Sequence, residues 1–172
     1  LPWVEVEYAP VQAVVHTDVD INGQLPVPTH NELDSGPYIA AGLMISRNPK
    51  NSIQNVSIHR CQISGKDRIG VLLLPRHTWT YSQMAEEAGQ ALEVAIVIGV
   101  DPASLLASQA IVPMDFDEME IVGALHGAPV EMVKCKTNNV RVPAKAEIVL
   151  EGRVLANVQE PEGPFGEFPQ YY

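Results

Sequence analysis

The sequence predicts a mainly β domain with short helices, an α+β chain whose strands form a closed or split β-barrel. Three observations carry that prediction. Strand-like runs dominate both ends of the chain, and the helix-like stretches lie between them and are short. No βαβ unit repeats along the chain, which argues against a doubly wound parallel sheet. And 14 prolines in 172 residues interrupt every longer run.

Taken in order, Pro2 to Thr17 reads as extended, with Val4, Val6 and Tyr8 alternating against Glu5 and Glu7. Asn22-Gly23, inside Asp20 to Gln24, signals a tight turn. Leu25 to Pro37 holds three prolines and reads as a long loop. Tyr38 to Ile45 reads as a strand and Arg47 to Ser52 as a turn. Val56 to Ile63 and Arg68 to Leu74 are β-rich and form a hairpin across Ser64-Gly65-Lys66-Asp67. Met84, Ala88 and Ala91/Leu92 at helical spacing predict a helix over Thr80 to Leu92, capped by Ser82. Val94 to Gly99 suits a buried strand. Asp101 as cap and Pro102 at the first position open a helix to Ala107. Asp117 to Leu125 is a second short helix, stopped at Gly127. Strands return at Val130 to Lys136, Val140 to Val142, Ala146 to Leu150 and Val154 to Val158. The last two form a hairpin about Gly152.

The length suits one domain. With 21 acidic against 11 basic residues the formal net charge is −10, and no Lys/Arg cluster offsets it locally. Such a surface repels phosphate backbones, so nucleic acid is excluded as the expected partner. No apolar run approaches membrane-spanning length, so no membrane association is expected. Cys61 and Cys135 stand far apart and outside any CxxC pattern, which favours a reduced, cytoplasmic setting over a secreted disulfide scaffold. The chain starts at Leu1 without Met and stops at Tyr171-Tyr172 after a motif-dense stretch, the pattern expected of part of a longer protein.

Three motifs carry chemistry. In Pro161-Glu162-Gly163-Pro164-Phe165-Gly166-Glu167, glycines and prolines fix an irregular backbone, and two carboxylates flank it. Crowded carboxylates drive each other's proton affinities apart, which suits proton transfer to carbon; a solvated surface loop is the plain alternative. In Asn55-Val56-Ser57-Ile58-His59-Arg60, strand alternation puts Ser57 and His59 on one face and Ile58 and Arg60 on the other. An arginine beside an isoleucine needs a carboxylate partner or a cleft, unless it simply faces solvent on an edge strand. In Pro75-Arg76-His77, a histidine closing a strand suits a metal ligand, a base or an ordinary loop residue. Glu118, at a helix start, reads equally well as an acid favoured by the helix dipole. His16, His30 and His126 have no context.

Together these stretches resemble the UbiD family of decarboxylases. The likeness runs from about Pro28 to Tyr172. It takes in Asp34-Ser35-Gly36-Pro37-Tyr38-Ile39, the Asn55 to Arg60 run and Pro75-Arg76-His77. It continues through Glu131 to Asn139, Val142-Pro143-Ala144 and Ala146 to Gly152, and ends on the PEGPFGE segment. The resemblance implies that residues 1–172 are the single central domain that binds prenylated FMN, a split β-barrel related to flavin reductases. It sets that domain within an enzyme that also has an N-terminal α/β region and a C-terminal region aiding homo-oligomerisation and closing the site. It further implies Mn2+ held by Asn55, His77 and Glu118, and K+ near the cofactor phosphate. Ser57, Ile58, Arg60, Arg76 and Ser108 would join those three around the cofactor. Arg60, Glu162 and Glu167 correspond to the family's catalytic residues: Arg60 pairs with Glu162 and helps to hold the substrate carboxylate, and Glu167 protonates carbon after CO2 leaves. Substrate would be an aromatic or α,β-unsaturated acid, with His59 and Leu73 near its ring. CO2 would be product or co-substrate, and a flavin prenyltransferase would supply the cofactor.

Two other readings compete. One is a flavin-binding module without turnover, told apart by metal-dependent flavin binding with no reaction. The other is an NAD(P)H-flavin reductase, which shares the barrel but gives no reason for the paired glutamates.

Overall fold

A four-stranded antiparallel sheet lies at the centre, and alternation along its strands buries both of its faces. The computed structural model describes residues 1–167, 169 and 171. Its strands are β1 (Val4–Glu5), β2 (Tyr38–Ile39), β3 (Leu43–Arg47), β4 (Gln54–Ile58), β5 (Cys61–Ile63), β6 (Ile69–Val71), β7 (Leu92–Ile98), β8 (Glu131–Lys134), β9 (Arg141–Pro143) and β10 (Ile148–Val154). Its helices are α1 (Ile21–Gln24), α2 (His77–Glu87), α3 (Pro102–Ala107) and α4 (Met119–His126).

The central sheet has the order β10-β7-β3-β4, flanked by three-stranded sheets β1-β8-β9 and β2-β5-β6. Leu43 and Ile45 of β3 pair with Val97 and Ala95 of β7 and share one face. That face packs on Ala107, Met119, Val122, Met132, Val133 and Val142 from α3, α4 and the β1-β8-β9 sheet. Met44, Val94 and Ile96 point the other way, onto Tyr81 and Ala85 of α2 and Ile39, Cys61 and Ile63 of the β2-β5-β6 sheet. Each fully buried aliphatic side chain in these layers contributes about 1.5–3 kcal/mol. Among the described residues, no helix is long and apolar enough to cross a membrane.

The mainly β character with short helices is as expected, and α3 runs over the predicted residues. Helix α4 closes at Gly127, in the left-handed region at φ 68°. Several expectations need correction. The strands form three separate sheets, and among the described residues none closes into a barrel. The single strand expected over Tyr38 to Ile45 is two, β2 and β3, in different sheets. Gly42 lies between them, where a Cβ would come within 2.8 Å of Ile96 Cγ2, so only glycine lets the chain pass that close. The strand expected over Val56 to Ile63 likewise divides into β4 and β5. His59 and Arg60 occupy the crossing from one sheet to the next, where no ladder holds them.

The hairpin about Gly152 does not form. Instead β10 runs unbroken along all of β7, with Gly152 opposite Val94, because a seven-residue partner outweighs a turn signal. Helix α2 begins at His77 and not at Thr80, which leaves Ser82 inside it and Arg76 at the cap. Pro75 stops the preceding extended run, and Leu92 belongs to β7. The Pro2 to Thr17 stretch keeps only β1, paired parallel to β8, and then a 3-10 turn at Pro10–Gln12. Asn22-Gly23 sits in the one-turn helix α1, whose Gly23 N–H is capped by Asp20.

Candidate active site and cation donors

Arg60 is placed by the β4–β5 crossing and met there by the last stretch of the chain. Its Nε donates to both Glu162 oxygens at 3.0 and 3.2 Å, and Nη2 donates to Glu162 Oε2 at 2.8 Å. Its Nη1 donates to Glu167 Oε1 at 2.6 Å. The Glu162 side chain is 8% exposed and that of Glu167 is 50% exposed. The two acids therefore differ in setting: one is anchored beneath the guanidinium and one faces outward. These bonds, those of Glu162 foremost, push the Arg60 pKa further above its ordinary value. Both carboxylates of the motif meet one guanidinium, each on its own nitrogens.

The 161–167 segment is seated by a loop that sequence reasoning left without a role. The Tyr38 hydroxyl donates to Glu162 Oε1 at 3.0 Å, and burial raises the pKa of that phenol. Gly166 N donates to Asp34 Oδ1 at 2.7 Å, Gly163 N to Gln62 Oε1 at 3.2 Å and Ser35 N to Pro164 O at 2.9 Å. Phe165 packs on Tyr38 with ring centroids 4.5 Å apart and lies under the Arg60 guanidinium at 5.6 Å. Gly163 takes φ +93°, a conformation that side-chain-bearing residues avoid, and so turns Glu162 back onto Arg60. The signal for Tyr38 lay in the Asp34 to Ile39 run, which composition and periodicity alone do not single out.

A second cluster gathers Asn55, His77 and Glu118. Asn55 Nδ2 donates to Glu118 Oε1 at 2.7 Å and lies 3.4 Å from His77 Nδ1. Glu118 Oε2 accepts from Val56 N at 2.7 Å. Because β4 is the outer strand of its sheet, this carboxylate seals a backbone donor that no strand takes. Asn55 and Glu118 are 4% and 2% exposed, and no Lys or Arg pairs with Glu118 among the described residues. Among those residues, no three His, Cys, Asp or Glu side chains gather closely enough to hold a metal, so a cation here depends on the amide. A buried carboxylate without a cationic partner, an imidazole nitrogen and an amide form a donor set that a divalent ion of intermediate hardness accepts. As an oxygen ligand, Asn55 must turn its amide over, since its nitrogen now faces Glu118.

Burial holds the Glu118 carboxyl at about 7, up from 4.5. A carboxyl whose pKa is higher folded than unfolded binds more protons in the folded state, so its contribution is complete below the unfolded value and fades as pH rises through the folded one. In EDTA, urea unfolding is expected to show stability falling between about pH 4.5 and 7, by about 3 kcal/mol from this group. Glu118→Gln should flatten that fall; an unchanged slope in the variant would assign it elsewhere.

The other predicted residues stand as follows. Ser57 is half-buried, with its Oγ 3.0 Å from His59 Nε2 and 3.2 Å from Thr78 Oγ1. His59 Nδ1 faces the Leu72 carbonyl at 3.2 Å, and burial lowers the pKa of its ring. Ile58 is 38% exposed at the end of β4, and Arg76 is exposed at the α2 cap. Ser108 ends α3 and donates its hydroxyl to Leu105 O at 2.8 Å, with no hydrogen bond to the Asn55 cluster. Phe168, Gln170 and Tyr172, within the stretch that carries the resemblance, lie outside the described residues.

The sequence model of the UbiD family, described as the 3-octaprenyl-4-hydroxybenzoate carboxy-lyase Rift-related domain, matches residues 3–172. An anhydromevalonate phosphate decarboxylase of Methanothermobacter thermautotrophicus is 47% identical over 149 residues, covering 87% of this chain and 35% of the relative. A phenolic acid decarboxylase of Bacillus subtilis is 38% identical over 178 residues, covering 100% of this chain and 38% of the relative. Among solved structures, an evolved dimeric form of the UbiD-class enzyme HmfF from Pelotomaculum thermopropionicum, in complex with prFMN, matches with a TM-score of 0.94 at 51% identity. That match covers 99% of this chain and 40% of the other. The chain thus spans between a third and two fifths of the length of these proteins.

Proposed function

Because the chain belongs to the UbiD family, we propose that it is the central cofactor-holding domain of a reversible, non-oxidative decarboxylase. The substrate is an aromatic or α,β-unsaturated carboxylic acid, the cofactor is prenylated FMN made by a flavin prenyltransferase, and a split, unclosed barrel related to flavin reductases belongs to the same reading. One observation carries it: Arg60 meets Glu162 and Glu167 across 102 and 107 residues of chain.

When bound, prenylated FMN supplies the electron-accepting centre that takes up the pair released as the C–CO2 bond breaks. Glu162 fixes the Arg60 guanidinium through Nε and Nη2, and Glu167 engages Nη1. A second N–H on each terminal nitrogen then remains for the substrate carboxylate. Glu167, on the outward side, delivers a proton to the carbon that has lost CO2 and removes it in the carboxylating direction. Asn55, His77 and Glu118 would hold Mn2+, whose positive charge would favour the anionic phosphate of the cofactor. The first turn of α2, beside Arg76 and His77, adds the partial positive charge of a helix N-terminus. Ser57 and Ile58 would lie along the cofactor, and Ser108 would serve K+ on the phosphate side.

FMN and Mn2+ together should raise the melting temperature more than either alone, and EDTA should reverse the gain. With prenylated FMN, labelled CO2 should then exchange into the acid. No binding of either would defeat the proposal. The second reading is a flavin-binding module that does not turn over; metal-dependent binding without exchange would select it.

A further inference from the structure

We infer that Thr78 is the positioning residue that sets which end of the Asn55 amide faces His77 and Glu118. The inference rests on the reading of those three residues as ligands of a divalent ion. Thr78 is the second residue of α2 and is 2% exposed; Ser46 beside it is 0% exposed. Thr78 Oγ1 lies 2.9 Å from Asn55 Oδ1 and 3.2 Å from the hydroxyls of Ser46 and Ser57. The proton positions follow from what each partner accepts. The Asn55 carbonyl oxygen only accepts, so the single Thr78 hydroxyl proton is committed to it. The Leu72 carbonyl also only accepts, so neutral His59 carries its proton on Nδ1, and its Nε2 takes the Ser57 proton. Ser46 is then the hydroxyl that donates to Thr78.

This chain holds the amide with its nitrogen toward Glu118 Oε1, at 2.7 Å, and His77 Nδ1, at 3.4 Å. A cation is bound by an oxygen lone pair and not by an N–H, so an Asn55 that ligates presents the other end. The nitrogen then faces Thr78. A hydroxyl suits both orientations: it donates to the carbonyl in one, and accepts from the amide N–H in the other once its own proton rotates toward Ser46 or Ser57. Valine has the same shape and does neither. Threonine at the second position of α2 therefore lets Asn55 serve both the carboxylate and a cation without leaving a buried amide group unpartnered.

The test titrates Mn2+ against the chain in saturating FMN and follows the electron paramagnetic resonance signal of free Mn2+. Thr78→Ser keeps the hydroxyl and should bind at wild-type strength. Thr78→Val should bind about 10–100-fold more weakly, the range seen when a partner that orients a metal ligand is removed. A folded Thr78→Val that binds as wild type overturns the inference. So does a Thr78→Ser that is weakened tenfold or more, a result that decides the matter even if the valine variant does not fold. Asn55→Ala separates the two levels. If it abolishes Mn2+ binding while Thr78→Val does not, the ligand reading stands and Thr78 alone falls. If wild type binds no Mn2+, both fall.

Discussion

Replacing Glu167 by glutamine is expected to slow exchange of labelled CO2 into the acid by about 10²–10⁴-fold, the usual share of a positioned acid. Glutamine keeps the shape and an oxygen for Arg60 Nη1, so the guanidinium should stay where Glu162 holds it through Nε and Nη2. What is removed is the carboxyl group to which the proposal gives the transferable proton. Binding of FMN with Mn2+ should be unchanged, because none of the cation donors touches this side chain. Exchange at the wild-type rate in Glu167→Gln would remove the residue from the mechanism.

Arg60→Ala should be felt twice. Among the described residues the Glu162 carboxylate, 8% exposed, would keep only the Tyr38 hydroxyl, and removing the partner of a largely buried acid is expected to lower stability by about 3 kcal/mol in urea unfolding. Exchange should fall by about 10²-fold or more, since the proposed clamp on the substrate carboxylate is lost and a misplacement of about 1 Å already has that effect. Arg60→Lys should restore charge without the fork that joins two carboxylates, and so recover stability better than exchange. Wild-type exchange by Arg60→Ala would sink the proposed role.

What could be seen in the sequence was local. Asp101-Pro102 and Gly127 carry capping chemistry within a few residues, and α3 and the end of α4 lie where those signals point. The β5–β6 hairpin, with Ile63 opposite Ile69, is set by its own short turn. What could not be seen was settled by distant partners. Whether Gly152 turns or continues depends on β7, more than fifty residues earlier, offering a full-length edge. The breaks at Gly42 and at His59-Arg60 depend on which of three sheets each half joins. The site follows the same division. The motifs named Arg60, Glu162, Glu167, Asn55, His77 and Glu118, and the fold gathers them into two clusters. Tyr38 and Thr78 carry no role in the sequence because a tyrosine in a strand and a threonine in a helix look like ordinary core residues until their hydroxyls are traced.

The two clusters also differ in when the chain can complete them. Asn55, His77 and Glu118 are joined across 22 and 63 residues, whereas Arg60 waits for partners 102 and 107 residues further on. Domains emerge from the ribosome N-terminus first. A nascent chain therefore issues Asn55, His77 and Glu118 while Arg60 still lacks both acids, and the arginine cluster is built last. A cut after β10 would separate the halves for the same reason, leaving the cation donors and the central sheet intact while the arginine loses both its acids.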